Sequence, residues 1–429
     1  MGHRWRAAGP PSMAMVGRFD LSSGPRGGAM QAEGPRRSLV LSGGGARGAY
    51  EAGVLAYIFG QLPPALLAAG RLRVLCGTSV GAVNACFVAA NAATPGHNME
   101  RLLDAWRGLR LEDLLQLSAW DLLRLPADLH SLFTSDQPSH GIILNATKLR
   151  ELITQHIDWE QIRGNMRAGY LDAVTVSATH IASGKTVIFV DRIEGGAPVW
   201  SRDNHRLARG VQLGPEHALA SAAIPILFPA VPIDGAFYCD GGLRQNTPLS
   251  PALRLGADRA LVVAVGHGPE ATVPEPAAPA ESYPGPALLL GKVLNALLLD
   301  HLDYDLAQLE GFNRLLADGA EAFGPSFLTQ LSKTAQRIRG ASYRQVKTVV
   351  IRPSRDLGQM AAAFVASGAL DLSGTASWIL RRLAVDDVAH HSDLLSYLAF
   401  DGRLAQQLIE LGMHDADAAR SALLEFFGP

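Results

Sequence analysis

Cysteine is scarce in this chain, with three residues in 429. Cys76, Cys86 and Cys239 show neither the spacing of a disulfide framework nor that of a metal site. Each is most simply a small buried apolar residue, and this usage favours a reducing compartment. The sequence therefore predicts no metal site.

The chain also lacks a strong charge of one sign and long apolar runs. Its formal net charge is −2 and charged residues make up 18% of it, so nothing indicates a nucleic-acid partner. No stretch reaches the roughly 18 uninterrupted apolar residues of a membrane-spanning helix. The nearest, Leu288–Leu299, is interrupted by Lys292 and Asn295. We expect a cytoplasmic protein that can still contact a membrane surface peripherally.

The N-terminal segment lacks the features of a secretory signal. Residues 1–36 are rich in Gly, Pro and Arg and contain no apolar central run. We therefore expect this segment to be a disordered tail.

The ordered part of the sequence begins with two strand–turn–helix units. Arg37–Ser42 is a compact apolar run typical of a buried parallel strand, and apolar residues follow at helical spacing over Ala49–Phe59. A second strand is predicted at Leu72–Cys76, and a helix of small residues from Val80 to about Asn91. This order predicts an α/β fold with a mainly parallel sheet and helices on its faces.

The rest of the chain divides by composition. Residues 99–168 form a leucine-rich helical stretch, residues 268–286 a proline-rich loop, and residues 287–429 a mostly helical region with one strand near 347–352. Further strands are expected at Ala173–Thr179, Lys185–Asp191, Ala236–Cys239 and Arg259–Val265. We predict a main domain over residues 37–267 with a helical insertion near 99–168, followed by the loop and the helical C-terminal region.

Glycines crowd the end of the first strand, in the segment SGGGARG. Gly43, Gly45 and Gly48 fit G-x-G-x-x-G, a loop that can hold the pyrophosphate of a dinucleotide. Such a site also needs an acidic residue at the end of the second strand to bind the ribose. Cys76 or Gly77 stands there instead. A glycine loop at a helix start can equally stabilise the oxyanion of an acyl transfer, so its role depends on its neighbours.

The second strand runs into GTSVG, from Gly77 to Gly81, which matches the G-x-S-x-G of a nucleophile elbow. A serine on this sharp turn projects its hydroxyl above the sheet at a helix N-terminus, where negative charge is favoured. The plainer interpretation is a small-residue turn that packs a helix on a sheet. Neighbouring parallel strands bring their C-terminal loops together, so the adjacent glycine loop favours Ser79 as a nucleophile.

A serine nucleophile needs a base, which in most serine hydrolases is a histidine. His180, His217 and His267 are candidates because they follow or lie within predicted elements. None of them lies in a glycine-framed turn, and each is more simply a surface or packing residue.

Asp240 is the stronger candidate for the base. It follows a short predicted strand and precedes Gly241 and Gly242, on a tight turn that would aim its side chain outward. The plainer interpretation is an ordinary Asp-Gly turn, which is common and also applies to Asp234-Gly235.

Several segments, taken in order, make the sequence similar to the patatin-like phospholipase family. They are GGGARG at Gly43–Gly48, GTSVGAVNA at Gly77–Ala85, ASAAIPILFPAV at Ala220–Val231 and DGG at Asp240–Gly242. The resemblance implies a three-layer α/β/α fold and a serine–aspartate dyad without a catalytic histidine. The later part of the chain resembles the helical extension of bacterial members.

On this resemblance Ser79 is the nucleophile and Asp240 the base. The oxyanion hole then comprises Gly43, Gly44, Gly45, Ala46, Arg47 and Gly48, with the amides around Gly44, Gly45 and Ala46 facing the developing alkoxide. The nucleophile elbow includes Gly77, Thr78, Val80 and Gly81, and the Asp turn includes Gly241 and Gly242. Arg47 would brace the loop, attract an anionic head group or form a structural salt bridge. A free aspartate, with a pKa near 3.9, is a poor base toward a serine hydroxyl, so we expect Asp240 to be desolvated.

The resemblance implies a lipid acyl hydrolase of the phospholipase A or lysophospholipase type, acting on a phospholipid or other lipid ester without a cofactor. We expect the acyl chain to lie in an apolar groove, in view of the family resemblance and of the leucine-rich stretches Met99–Ala168 and Leu288–Leu316. The plainer interpretation of these stretches is ordinary helix core rather than membrane contact. The alternatives are a Ser-His-Asp carboxylesterase, a nucleotide-binding protein and a catalytically silent lipid-binding protein.

Overall fold

The computed structural model of the protein describes residues 34–111, 146–198, 200, 205–225, 228–267, 302–324, 326–368 and 396–429. The proline-rich loop predicted at 268–286 lies outside the described residues, as does the tail predicted at 1–36 up to residue 33. The predicted domain boundaries stay predictions. Over the residues described, no helix combines the length and apolarity needed to cross a membrane.

The described chain opens with the two strand–turn–helix units that the sequence predicts. The strands are β1 (Arg37–Leu41), β2 (Leu72–Thr78), β3 (Ala173–His180), β4 (Lys185–Arg192), β5 (Arg206–Gly210), β6 (Val231–Ile233), β7 (Ala236–Asp240), β8 (Arg259–Val263) and β9 (Lys347–Ile351). The helices are α1 (Gly48–Gln61), α2 (Pro64–Ala69), α3 (Val80–Ala90), α4 (Met99–Gly108), α5 (Ala146–His156), α6 (Trp159–Arg167), α7 (Pro215–Ser221), α8 (Leu249–Arg254), α9 (Leu302–Phe323), α10 (Ser326–Arg339), α11 (Leu357–Ala366), α12 (Gly402–Ala418) and α13 (Arg420–Phe427). Short 3₁₀ turns lie at Gly45–Arg47 and Gly241–Leu243.

The strands form one sheet in the order β5-β4-β3-β2-β1-β8-β9. From β3 to β9 all neighbours along this order are parallel, which confirms the mainly parallel sheet. β4 returns antiparallel to β3, as predicted for a hairpin, and β7 pairs antiparallel with the last residues of β3. The strand predicted near 347–352 joins the sheet as its edge, β9. Strand β5 escaped prediction because its sequence, RLARG, carries a single large apolar side chain.

Helices cover both faces of the sheet, as a buried parallel sheet requires. Successive side chains of β1 belong to two different hydrophobic cores, one on each face of the sheet. Leu39 and Leu41 pack with α1 and α3 on one face, whereas Val40 packs with Leu249 and Leu302 on the other. The C-terminal helices therefore do not form an independent bundle, since the start of α9 belongs to this second core.

Helix α12 lies along α1, the helix that leaves the glycine loop. The two helices approach so closely that a Cβ on Gly412 would lie 2.2 Å from the carbonyl oxygen of Tyr50. The hydroxyl of Tyr50, near the start of α1, donates to Asp415 across 3.1 Å. The hydroxyl of Tyr57, nearer the end of α1, donates to Asp417. The position of α1 is thus fixed from the C-terminal region.

Candidate active site

The loops after β1 and β2 meet at the carboxyl edge of the sheet. Ser79, between β2 and α3, adopts φ 55° and ψ −130°, a backbone conformation that non-glycine residues rarely adopt. The flanking glycines make this turn possible: a Cβ on Gly77 would lie 2.3 Å from the oxygen of Gly81, and a Cβ on Gly81 would lie 2.4 Å from the oxygen of Ser42. The segment has the geometry predicted for a nucleophile elbow.

A serine from a distant helix holds the elbow in place. The Ser79 amide donates to Ser221 Oγ across 2.8 Å, and the Ser221 hydroxyl donates to the carbonyl oxygen of Ser177 across 2.6 Å. Both side chains are buried. Sequence reasoning missed Ser221, although it lies inside the ASAAIP segment that carried the family resemblance.

Asp240 reaches the elbow from β7, which lies beside the end of β3. Its Oδ2 accepts a 2.7 Å hydrogen bond from Ser79 Oγ, and its Oδ1 accepts one of 2.6 Å from the amide of Gly242. The side chain is fully buried, and this burial raises the pKa of Asp240 to about 7, although both hydrogen bonds oppose the rise. The expected desolvation of Asp240 is confirmed.

The glycine loop lies directly against Ser79, because a Cβ on Gly43 would stand 3.0 Å from the Cβ of Ser79. Three of its amides have partners within the protein: that of Gly43 donates to Asn246 O, that of Arg47 to Gly44 O, and that of Gly48 to the oxygens of the 3₁₀ turn. None of these three is among the predicted oxyanion donors, and the amides of Gly44, Gly45 and Ala46 stay the predicted ones.

Gln245 and Asn246, which follow the Asp turn, connect the glycine loop and the nucleophile elbow. No sequence pattern marks these two residues beyond their nearness to Asp240. Asn246 Nδ2 donates to the carbonyl oxygen of Gly43 across 3.1 Å. The Thr78 hydroxyl donates to the carbonyl oxygen of Gln245 across 3.0 Å. The segment that supplies Asp240 also fixes the glycine loop and the elbow relative to it.

Arg47, the last residue of the loop, is buried at 7% exposure. Its Nε donates to Ser396 Oγ across 2.8 Å, and its guanidinium carbon lies 4.3 Å from the ring centroid of Tyr397. Of the roles considered for Arg47, this environment favours bracing of the loop.

A buried polar network lies behind the loop and was also missed. Asn84 Nδ2 donates to Glu51 Oε2 across 2.9 Å and to Gly48 O across 3.1 Å, and Trp106 Nε1 donates to Asn84 Oδ1. Glu51 is fully buried, and this burial raises its pKa to about 8. Each of these residues lies at an ordinary helical position, so only the packing of α1, α3 and α4 brings them together.

Ser79 is one of the residues that line an apolar cavity of about 80 Å³. The cavity is lined by residues of the elbow and α3, of α4 and α5, of the segment after α7 and of the segment before α12, among them Val83, Phe87, Leu102, Trp106, Leu149, Ile153, Ile224, Phe228, Leu398 and Phe400. Helices α4 and α5 belong to the leucine-rich stretch Met99–Ala168, of which residues 112–145 lie outside the described residues, and both helices contribute to the cavity lining. The second stretch, Leu288–Leu316, is described only from Leu302 on, and there it packs on the opposite face of the sheet.

The three candidate histidines have other partners. His180 Nδ1 lies 2.7 Å from Ser183 Oγ, and His267 Nδ1 lies 3.0 Å from Pro353 O. His217 accepts a 3.0 Å hydrogen bond from the amide of Gly214, and burial lowers its pKa. In the part of the chain that the structure describes, the side chain bonded to Ser79 Oγ is Asp240.

Comparison with known proteins places this geometry in a family. The model of the patatin-like phospholipase family matches residues 39–253, half of the chain, and this span includes both Ser79 and Asp240. The chain belongs to the patatin-like phospholipase family. Membership supports a lipid hydrolase activity for this patatin-like protein.

A curated relative is the cGAMP-activated phospholipase of Pseudomonas aeruginosa, which is 29% identical over 211 residues. The matched region covers 49% of this patatin-like chain and 53% of that relative. The chain therefore matches about half the length of the relative.

Solved structures with a similar arrangement include human GIVD cytosolic phospholipase A2 and VipD from Legionella pneumophila. The first is 11% identical, with a TM-score of 0.43, and the match covers 92% of this patatin-like chain and 62% of that one. The second is 12% identical, with a TM-score of 0.30, and the match covers 88% and 67%.

Proposed function

We propose that the protein is a lipid acyl hydrolase that cleaves fatty acyl esters with Ser79 as nucleophile and Asp240 as general base. The observation that carries the proposal is the 2.7 Å hydrogen bond from Ser79 Oγ to a fully buried carboxylate, with Ser79 also lining an apolar cavity. A strained serine, a base within hydrogen-bond reach and a glycine loop beside them are the parts that acyl transfer requires.

In the first step Ser79 Oγ attacks the ester carbonyl carbon while its proton passes to Asp240 Oδ2. The carbonyl oxygen becomes an oxyanion that the amides of Gly44, Gly45 and Ala46 stabilise. When the tetrahedral intermediate collapses, the bond to the alcohol oxygen breaks and the leaving alcohol takes the proton from Asp240. The fatty acyl group remains esterified to Ser79.

In the second step water attacks the acyl-enzyme. Asp240 accepts a proton from the water, the oxyanion forms again at the same amides, and collapse returns the proton to Ser79 Oγ as the fatty acid leaves. An ordinary aspartate would be a weak base here, and burial of Asp240, which raises its pKa to about 7, brings it closer to the basicity this role needs.

The apolar lining around Ser79 favours an acyl group, and a volume of about 80 Å³ accommodates the first few carbons beside the ester. A phospholipid or lysophospholipid is the substrate class that this lining and family membership favour together. Such a substrate resides in a bilayer or micelle, so the proposal includes peripheral contact with a lipid surface. Purified protein should therefore hydrolyse phospholipid in vesicles, and activity confined to soluble short-chain esters would contradict the lipid part of the proposal.

Labelling with a fluorophosphonate tests the nucleophile directly. We expect one covalent adduct, located on Ser79 by peptide mapping, and no adduct and no turnover in Ser79→Ala with its melting temperature retained. The exposed Ser183→Ala variant serves as the control and should label like the wild type. An adduct on another serine, or full turnover by Ser79→Ala, would refute the mechanism.

The histidine alternative is tested on the same substrate. His180→Gln, His217→Gln and His267→Gln should each keep kcat within about threefold of the wild type, because a general base contributes on the order of 10²–10⁴ to the rate. A thousandfold loss in one folded variant would indicate a Ser-His-Asp enzyme instead.

A further inference from the structure

A segment far along the chain, Ser396–Phe400, lies against the glycine loop. Its contact with Arg47 has two parts: Ser396 Oγ accepts from Arg47 Nε across 2.8 Å, and the Tyr397 ring packs on the guanidinium. Ser396 and Tyr397 are both buried. A buried arginine that hydrogen-bonds to one residue and stacks on the ring of the next restricts the position of a backbone segment more than an exposed ion pair does.

The backbones of the loop and the segment also touch, independently of Arg47. Gly45 adopts φ +56°, and a Cβ at this position would lie 2.3 Å from the carbonyl oxygen of Tyr397. Gly45 and Tyr397 both line the apolar cavity, as Ser79 does. The conformation of Gly45, one of the candidate oxyanion donors, is therefore matched to the position of Tyr397.

The segment is itself anchored to the main domain. The amide of Leu111, after α4, donates to Phe400 O across 2.7 Å, and Asp401 begins α12 by accepting from the amide of Arg403 across 2.8 Å. Helix α12 then packs along α1, which starts where the glycine loop ends. The loop is thus enclosed between α1 and a segment that belongs to the C-terminal region.

We propose that Ser396–Phe400 completes the active site, and that Arg47 is a positioning residue through which this segment holds the amides of Gly44, Gly45 and Ala46 in their oxyanion-binding arrangement. Backbone donors accelerate acyl transfer only when they are already oriented, and a glycine-rich loop does not orient itself. The inference rests on the proposed function, and it gives the C-terminal helical region a direct part in catalysis.

Arg47→Gln and Ser396→Ala test the inference through kcat and KM on a neutral soluble ester, p-nitrophenyl butyrate. Loss of one oxyanion donor typically lowers kcat by about 10²–10³, so we expect about 100-fold for Arg47→Gln and about tenfold for Ser396→Ala, with KM changed less than about threefold. The kcat of the double variant should be no lower than that of Arg47→Gln alone, because both substitutions remove the same contact between Arg47 and Ser396. Additive losses would contradict a shared role.

Tyr57→Phe is the matched control. It removes the hydroxyl that donates to Asp417 and accepts from Arg420, and so loosens the same packing of α1 against the C-terminal helices away from the loop. We expect its kcat to equal that of the wild type. An equal loss in Tyr57→Phe and Ser396→Ala would mean that general loosening, not the contact to the loop, lowers the rate.

A phospholipid substrate separates positioning from head-group binding. Positioning predicts the same fold-loss in kcat for Arg47→Gln on p-nitrophenyl butyrate and on anionic phospholipid vesicles. An increase in KM confined to the phospholipid, with kcat retained, would show that Arg47 binds the head group and would overturn the inference. If Ser79→Ala is inactive while Arg47→Gln and Ser396→Ala keep wild-type kcat, only this inference fails; turnover by Ser79→Ala would instead remove the proposed function.

Discussion

Two Asp-Gly pairs lie six residues apart on the hairpin of β6 and β7, and their surroundings differ completely. Asp234 is exposed at the tip of the hairpin, with φ 48°, and Gly235 beside it has open space around its Cα. Asp240 is fully buried at the other end of β7, and a Cβ on Gly241 would lie 2.3 Å from the oxygen of Ser177. The same dipeptide is a solvent-exposed turn in one place and a candidate base in the other, so burial and contact with Ser79 decide the chemistry.

Neutralising each carboxylate in turn should give the largest difference between Asp240 and Asp234. Asp240→Asn should lower kcat by about 10³-fold, because the amide cannot accept the serine proton and a general base contributes on the order of 10²–10⁴. Asp234→Asn should keep kcat within about twofold, since asparagine tolerates a positive φ. Steady-state kinetics on p-nitrophenyl butyrate, with melting temperatures as the folding check, compares the two. Equal activity of both variants would end the case for Asp240 as the base.

The pH dependence of the rate compares the two carboxylates without removing Asp240. The base acts when it is deprotonated, and its pKa is raised to about 7, so kcat/KM should rise about tenfold between about pH 6 and pH 8 and then level off. The Asp234→Asn variant should give the same profile. A rate that is flat across this range, or that falls, would contradict a buried aspartate base.

The glycines after each aspartate give the smallest expected effect. Gly241→Ala places a methyl group against a backbone oxygen, which should lower the free energy of unfolding by about 1–3 kcal/mol and reduce kcat by displacing Asp240 from Ser79. Gly235→Ala meets no neighbour and should cost about 1–2 kcal/mol from its positive φ alone, with kcat unchanged. Chemical denaturation and kinetics on both variants measure the difference. A reduced kcat in Gly235→Ala would mean that the hairpin tip matters to the site after all.

Much of the fold could be predicted because β1 and β2 are continuous apolar runs that end in glycines. Such runs predict buried parallel strands, and the loops that follow them must meet at one sheet edge. β5 and β6 could not be predicted, because a short strand with few large apolar side chains carries little periodicity. Their pairing depends on the neighbouring strands β4 and β7.

Some residues of the candidate site could likewise be predicted from the sequence, and others could not. Ser79, Asp240 and the glycine loop lie in short motifs whose glycines are needed for steric reasons, and those reasons are visible in the sequence. Ser221, Asn246 and the Glu51–Asn84–Trp106 network occupy ordinary positions in helices and turns. Their contacts span between 22 and 203 residues of chain, and no local pattern encodes a contact of that kind.

The parallel α/β sheet and the two glycine-framed turns at its carboxyl edge follow from the sequence, because backbone sterics and apolar periodicity are local properties. Which other side chains meet at this edge, and how deeply all of them are buried, depends on the packing of the folded chain. Burial of Asp240 against Ser79 raises the pKa of the carboxyl, and Ser396 and Tyr397 reach Arg47 only because α12 packs along α1. Both depend on the desolvation and packing of residues far apart in the chain, which exist only once the chain has folded.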